Sequence, residues 1–338
     1  MPLIEQNYSL KKYNTFGIEA SARYFAEVHS VEEVISIIKS VGDHNLPLLF
    51  LGGGSNILFT KDFPGIVIKN NLKGISLVKE TEDEVWVKSA SGEIWHELVQ
   101  YCIKNNYGGI ENLSLIPGTV GAAPIQNIGA YGTELKDVFE SLEALDLNDL
   151  TIKTFTRTDC RFDYRDSIFK QEGKGKYFIV SVTLRLQKNP KINTSYGAIQ
   201  KLLDERGISH PTIADISQVV CDIRNSKLPN PAVIGNAGSF FKNPEITEEQ
   251  YLSLKNTYAD MPGYPTHKGI KLSAAWMIER CGWKGKQVGD TGTHKDHALV
   301  LVNYGHATGE EVKALALEIQ KSVQDMFGVR IEMEVNLI

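Results

Sequence analysis

The chain is short of paired cysteines, of long apolar runs and of basic blocks, and each shortage removes a class of protein. Its four cysteines, Cys102, Cys160, Cys221 and Cys281, are widely spaced with no C-x-x-C pair. That argues against a zinc knuckle, a thioredoxin-like dithiol and a disulfide-stapled miniprotein. Cys102 and Cys281 fall at apolar positions of predicted helices and read as packing residues. No segment approaches the roughly 18 consecutive apolar residues that span a bilayer, and the opening MPLIEQNYSLKKYNTFG has no apolar signal stretch. The expectation is a cytosolic protein with no membrane partner. Lys and Arg (36) fall short of Asp and Glu (41), for a net charge of -5, and form no long block. The footprint of a nucleic-acid binder is therefore missing, and any anionic ligand must be held by locally placed groups.

What is present is an ordinary globular composition, with 42% apolar and 23% charged residues over 338 positions. At about 150 residues per domain this length suggests two or three domains. Glycine, at 29 residues, arrives in clusters: Gly52-Gly53-Gly54, Gly118 with Gly121, Gly129 with Gly132, and Gly235 with Gly238.

Local patterns place these clusters. Ser30-x-x-Glu33 is a capping box, and Val31, Val34, Ile35, Ile38 and Val41 recur at helical spacing, predicting a helix over 31–42. An apolar run from Pro47 to Leu51 enters the first glycine cluster and a second, from Gly65 to Lys69, follows it. Val85–Lys88 alternates as a strand. Ser91 is expected to cap a helix with Ile94, Trp95, Leu98, Val99, Cys102 and Ile103 inward, ended by Gly108-Gly109. From Ser114 to Gly132 charges are few and neither period appears, so a loop with short helical turns is expected. Strands then dominate, at about 138–147, 150–156 and 177–186, and helices follow at 195–206 and 212–225. The remainder reads as a loop over 229–244, helices at about 247–257 and 270–281, and a strand at 298–302. A final helix is capped by Thr308-x-x-Glu311 and closed by Gly328. In the last strand, 329–335, Val329, Ile331, Met333 and Val335 point opposite to Arg330, Glu332 and Glu334. The fold class is α+β.

Glycines let backbone N–H groups approach an anion closely. The first cluster is nevertheless neither a Walker loop, which needs G-K-[S/T] before a helix, nor a Rossmann fingerprint, which must open a helix. Taken alone it reads equally as a glycine-rich turn at a strand end. Pro117-Gly118-Thr119-x-Gly121-Ala122-Ala123 adds an uncharged segment able to lie flat against a planar ligand, and two such loops suit a dinucleotide.

Four blocks carry a resemblance over nearly the whole chain: Leu51-Gly-Gly-Gly-Ser-Asn56, the run from Pro117 to Gly132, Cys160-Arg-Phe-Asp-Tyr-Arg-Asp-Ser167, and Gly235-Asn-Ala-Gly-Ser-Phe-Phe-Lys-Asn-Pro244. The sequence resembles the UDP-N-acetylenolpyruvoylglucosamine reductase family, in its subtype with a mobile tyrosine loop. The resemblance implies an FAD-binding module of the vanillyl-alcohol-oxidase (PCMH) type with two subdomains, over residues 1–70 and 71–210, the latter joined by the strand 329–338. It adds a C-terminal α+β substrate-binding domain over 211–328. It implies non-covalent FAD, NADPH as co-substrate, and UDP-N-acetylglucosamine enolpyruvate as the substrate reduced to UDP-N-acetylmuramate in peptidoglycan precursor synthesis. Hydride would pass from flavin N5 to C3 and a proton to C2. A monomer follows by the same analogy.

The resemblance also assigns residues. Arg165 would stabilise the charge that develops at the substrate carboxylate, Ser239 would protonate C2, and Glu332 would work beside Arg165. Alternation alone does not choose between Glu332 and Glu334. FAD would lie on Gly52, Gly53, Gly54, Ser55, Asn56, Pro117, Gly118, Thr119, Gly121 and Ala122. Tyr196, Lys227, Asn243 and Tyr264 would surround the substrate and its diphosphate, with Arg224 serving substrate or FAD. His297 falls where this subtype often has glutamine, and the tail lacks the proline and arginine common after the key glutamate. His294, His297, Asp290 and Asp296 have no defined ligand geometry, so no metal is expected. The competing readings are an FAD-dependent oxidase of the same superfamily acting on a sugar or hydroxy acid, and a flavin-binding module without catalysis.

Overall fold

The computed structural model describes residues 2–41 and 46–338; Gly42, the end of the predicted first helix, and the side chain of Val41 lie outside the described residues. The chain divides into two compact units, each assembled from separate stretches. One holds Met1–Tyr8, Ala22–Gly53 and Pro64–Ser226, the other Ser9–Ser21, Gly54–Phe63 and Lys227–Ile338. No helix among the described residues is long and apolar enough to cross a membrane.

In the first unit the helix Val31–Val41 starts where expected, Ser30 Oγ accepting from the Glu33 N–H at 3.2 Å. Its Val34 and Ile37 are buried against Ile66, Ile68 and Phe178. Strands Leu48–Leu51 and Phe63–Asn70 pair in parallel, Leu48 opposite Ile66 and Leu51 opposite Lys69. The connection between them begins with the glycine cluster, so Gly52 follows directly on the buried Leu51 at the carboxyl end of the strand.

An antiparallel five-stranded sheet follows, in the order Ile152–Thr156, Phe139–Asp146, Tyr177–Gln187, Glu84–Ala90, Ile75–Glu80. Against its Val85, Val87, Leu142, Val182 and Leu184 packs the helix Trp95–Lys104, through Trp95, Leu98, Val99 and Cys102. Ser91 does not cap this helix. Its hydroxyl accepts from Asn70 Nδ2 at 2.7 Å and its carbonyl from the Gly121 N–H at 2.8 Å, so tertiary contacts use both groups. The N-cap position falls to Ile94, which is 45% exposed instead of inward, and the helix stops at Asn105, before Gly108.

Helices Gly197–Glu205 and Ile213–Lys227 bury Ile199, Leu203, Ile216, Val219, Val220 and Ile223 together. This packing draws the second helix, through Ser226, into the first unit, whereas the division at 210 assigns it to the substrate domain.

The second unit contains the antiparallel sheet Gly235–Ser239, Val300–Asn303, Thr291–Thr293, Gln287–Val288. The segment read as a loop over 229–244 therefore includes a strand. The segment read as a helix over 270–281 is split: Gly269–Leu272 is a strand paired with Gly263–Thr266, and Ala274–Arg280 is helical after Ser273, whose Oγ accepts from the Trp276 N–H at 3.2 Å. The last helix, Gly309–Phe327, has the expected Thr308–Glu311 capping box and ends at Gly328 in the left-handed conformation. Beyond it Val329, Ile331 and Val335 are buried while Arg330 and Glu332 are exposed, as alternation requires. Ladder pairing there is sparse: Met333 bridges Phe241, and Asn336–Leu337 runs parallel to Ile57–Leu58. These contacts place the tail in the second unit, not with residues 71–210.

Candidate active site

Two glycine segments of the first unit lie on each other. A Cβ built on Gly52 would sit 2.5 Å from Thr119 Oγ1, and one on Gly53 would sit 2.8 Å from Gly118 Cα. Only hydrogen side chains permit that approach. The second segment is tied to the start of the helix Trp95–Lys104, the Gly118 carbonyl accepting from the Trp95 N–H at 3.0 Å and the Glu93 carbonyl from the Val120 N–H at 2.9 Å. Gly53, Pro117 and Ala122 are exposed, so uncharged backbone faces outward along both segments. In the second unit Gly54 has φ +63° and packs against the Tyr13 carbonyl. Asn56 there donates its side-chain amide to the Glu334 carbonyl at 3.3 Å, and Ser55, beside it, is partly exposed.

Arg165 also has a positive φ, 53°, and three bonds hold its turn to the glycine run. Asn127, fully buried, donates to the Asp163 carbonyl at 3.0 Å. Ser167 Oγ donates to the Ile125 carbonyl at 2.7 Å, and Arg165 Nη2 to the Gly129 carbonyl at 2.8 Å. A Cβ on Gly129 would come 2.9 Å from Glu134 Cγ and 3.1 Å from the Thr133 carbonyl oxygen, so the glycine makes room for the paired segment Thr133–Glu134.

Arg224, on the helix Ile213–Lys227, donates its Nε to the Leu115 carbonyl at 3.2 Å. Burial presses its pKa down, the hydroxyl of Tyr131 and the thiol of Cys221 oppose that, and Arg165 adds to it. Tyr131, at φ 51°, meets the Tyr196 ring edge-on at 5.1 Å between centroids. Asn112, buried, donates to the carbonyls of both Tyr131 and Asn193 at 3.0 Å, which ties the glycine run to the segment leading into Tyr196. Tyr196 itself is 44% exposed.

In the second unit Ser239 ends the strand Gly235–Ser239, opposite Val300, after Gly238 at φ +68° and before the fully buried Phe240 and Phe241. The tail runs beside it: the Glu334 N–H donates to the Phe240 carbonyl at 2.8 Å, and the Lys242 N–H to the Glu332 carbonyl at 2.9 Å. Glu332 is exposed, its carboxylate 3.7 Å from Lys242 Nζ, while Glu334 is only partly exposed.

Asn243 Oδ1 accepts from the Ala274 N–H at 3.0 Å, which orients the side-chain amide at the start of the helix Ala274–Arg280. Tyr264 is 56% exposed on the strand Gly263–Thr266. His297 has a buried Nδ1 without a hydrogen-bond partner among the described residues. Burial first, then the charges of Lys227, His294 and Lys284, hold its pKa below the ordinary imidazole value, so the ring is neutral in a cationic setting.

Sequence reasoning assigned no role to His96, Asn112, Asn127 or Tyr131. For Tyr131 a signal existed, an aromatic set between Gly129 and Gly132. The others bind main chain remote in sequence and leave no local pattern.

Comparison with known proteins supplies the family. Residues 230–338 match the UDP-N-acetylenolpyruvoylglucosamine reductase C-terminal domain and residues 22–155 an FAD-binding domain. The UDP-N-acetylenolpyruvoylglucosamine reductase of Flavobacterium johnsoniae is 51% identical over 99% of both chains. That of Pseudomonas aeruginosa is 48% identical over 99% of this chain and 98% of its own. The fold is similar to the crystal structure of the Thermus caldophilus enzyme, with a TM-score of 0.69, 24% identity and coverage of 100% of this chain and 99% of that one. Such identity from end to end, together with the two matched domains in order, shows that the chain belongs to the UDP-N-acetylenolpyruvoylglucosamine reductase family of FAD-dependent oxidoreductases.

Proposed function

We propose that the protein reduces the enolpyruvyl group of UDP-N-acetylglucosamine enolpyruvate to UDP-N-acetylmuramate with NADPH, as a cytoplasmic step of peptidoglycan precursor synthesis. The observation that carries this reading is the Arg165 turn, held to the glycine run by three bonds, one of which runs from the guanidinium to the Gly129 carbonyl.

The residues present fit FAD. Segments 52–53 and 118–119 approach so closely that a Cβ at either glycine would fill the space, and the outward backbone of Gly53, Pro117 and Ala122 carries no competing charge. Gly52 to Asn56 would serve the pyrophosphate with backbone N–H groups, and Pro117 to Ala122 the ring. When bound, FAD supplies two-electron transfer, taking hydride from NADPH and delivering hydride to C3 of the enolpyruvyl group.

The protein's own groups do the rest. Arg165 binds the carboxylate conjugated to the double bond and stabilises the negative charge that grows there and at C2. Glu332 works beside that polarised group. Ser239 Oγ donates its proton to C2; so basic a carbon accepts a proton from a hydroxyl if the hydroxyl is well placed, and Phe240 and Phe241 keep the strand behind it dry. Lys227, Asn243 and Tyr264 bind the diphosphate, Tyr196 covers the substrate, and Arg224 and the neutral His297 complete the polar lining. One NADPH and one proton are consumed for each double bond reduced.

NADPH oxidation followed with and without the enolpyruvyl substrate, in air and under nitrogen, tests this. The expected result is substrate-dependent oxidation indifferent to oxygen. Oxygen-dependent turnover indifferent to that substrate would replace the reading with an oxidase, and a colourless purified protein would remove flavin chemistry.

A further inference from the structure

Leu115 stands just before the loop Pro117–Thr119 and holds the left-handed conformation, φ 57°, which is uncommon for a residue with a bulky side chain. Side chains from two helices grip its peptide groups. His96 Nδ1, on Trp95–Lys104, accepts the Leu115 N–H at 2.9 Å, and Arg224 Nε, on Ile213–Lys227, donates to the Leu115 carbonyl at 3.2 Å. The preceding Ser114 is buried and tied as well, its Oγ to the Glu111 carbonyl at 2.7 Å and to Ser217 Oγ at 2.8 Å. Because a backbone N–H only donates, Nδ1 must be unprotonated and the proton of the neutral ring sits on Nε2, from which the Gln100 amide 3.4 Å away accepts once its oxygen is turned to the ring.

We propose that His96 is a positioning residue for the cofactor loop: its unprotonated Nδ1, with Arg224, holds Leu115 in the conformation that aims Pro117–Thr119 at FAD, and protonation of His96 releases the loop and weakens FAD binding. This rests on the FAD reading above. The groups facing the ring are Glu97 and Gln100 on its own helix and Arg224 on the helix packed against it; Ser217 on that second helix meets Gln100 at 3.4 Å. In the segment of Leu115 the one carboxylate, Glu111, is turned to the Gly109 N–H at 2.6 Å. Burial, then Arg224, depresses the imidazole pKa, and Glu97 opposes them. Affinity for FAD is therefore complete above the ordinary imidazole range and falls as pH drops below it, when the ring loses its acceptor and adds a cation beside Arg224.

The test titrates FAD into apoprotein and reads flavin fluorescence from about pH 8 to about pH 5.5, across the imidazole range. Wild-type Kd should rise toward acid. His96→Asn keeps an acceptor near Nδ1 but does not titrate, so its Kd should match wild type at the upper pH and stay flat. His96→Leu leaves the Leu115 N–H unpaired and should raise Kd about tenfold at every pH. A His96→Leu protein that binds FAD like wild type overturns the proposal. So does a His96→Asn protein that shares the acid loss or binds as weakly as His96→Leu. If His96→Leu does not fold, the profiles of wild type and His96→Asn decide. Wild-type protein that takes up no FAD at any pH overturns the cofactor reading, and this one with it, whereas FAD binding indifferent to residue 96 overturns this one alone.

Discussion

The candidate residues of the two units are held in different ways. In the first unit, buried side chains hold the functional backbone: Asn112 on Tyr131 and Asn193, Asn127 on Asp163, His96 and Arg224 on Leu115. In the second, main-chain bonds run beside Ser239, Phe240 to Leu299 at 2.7 Å, Glu334 to Phe240 at 2.8 Å and Lys242 to Glu332 at 2.9 Å, with side chains added where Asn236 holds Gly238 and Asn56 holds Glu334. The loops of the first unit have no period and positive φ at Leu115, Asn127, Tyr131 and Arg165, so main-chain pairing there is short, Gly129–Ala130 with Thr133–Glu134 and Asp163 with Asp166, and side chains take up peptide groups that pairing leaves. The segments around Ser239 are paired through main chain except at Gly238, whose N–H donates to Asn236 Oδ1 at 2.9 Å. Conformation in the first unit should thus depend on side-chain identity, and in the second on backbone freedom.

The largest effect should come where chemistry, not support, is removed. Ser239 bonds its neighbour Val300 through main chain, so Ser239→Ala should fold and melt as wild type. It should still let NADPH bleach the flavin, but substrate-dependent reoxidation in stopped flow should slow about 10²–10⁴-fold, the range of a general acid. Normal reoxidation would sink the assignment.

Asn127→Ala comes next and tests the first unit directly. The residue is fully buried and bonds Asp163, Glu134 and Lys136, the last through an N–H that would lose its acceptor. Part-buried groups left unpaired make a loss of about 1–3 kcal/mol reasonable, and a freed Arg165 should raise KM for the enolpyruvyl substrate besides. Denaturant unfolding with steady-state kinetics checks both, and a variant with unchanged stability would break the comparison.

Legibility from sequence follows the same line. The helices at 31–41 and 309–327 could be read because cap and apolar stripe are local signals. Gly269–Leu272 was missed because Ile270, Ala274, Met277 and Ile278 recur at helical spacing, while the strand's partner, Gly263–Thr266, is revealed only by pairing. Ser91 misled because its hydroxyl and carbonyl serve Asn70 and Gly121. At the site, glycines marked the close approach of segments 52–53 and 118–119, since no other residue fits there. His96, Asn112 and Asn127 were silent, because a side chain that bonds remote main chain has no periodic position to occupy.

Backbone freedom at the proton donor predicts a smaller effect. Gly238 has φ +68° with nothing within 4 Å of a built Cβ, so Gly238→Ala adds no clash and only the strain of a left-handed residue, about 1–2 kcal/mol. Thermal unfolding should show that loss, with reoxidation slowed less than in Ser239→Ala. A neutral Gly238→Ala would mean that the turn before Ser239 does not need glycine.

The smallest effect should sharpen the side-chain half of the comparison. Tyr131→Phe keeps the ring against Tyr196 but removes the hydroxyl facing Arg224. The lost hydrogen bond corresponds to about 1 kcal/mol, hence about fivefold. Because Phe fills the same volume, stability should barely change. The loss should instead appear in kcat/KM, through an Arg224 that keeps its grip on Leu115 but lies less fixed on its Tyr131 side. A stability loss without a kinetic one would make Tyr131 a packing residue and confine side-chain control to Asn112, Asn127 and His96.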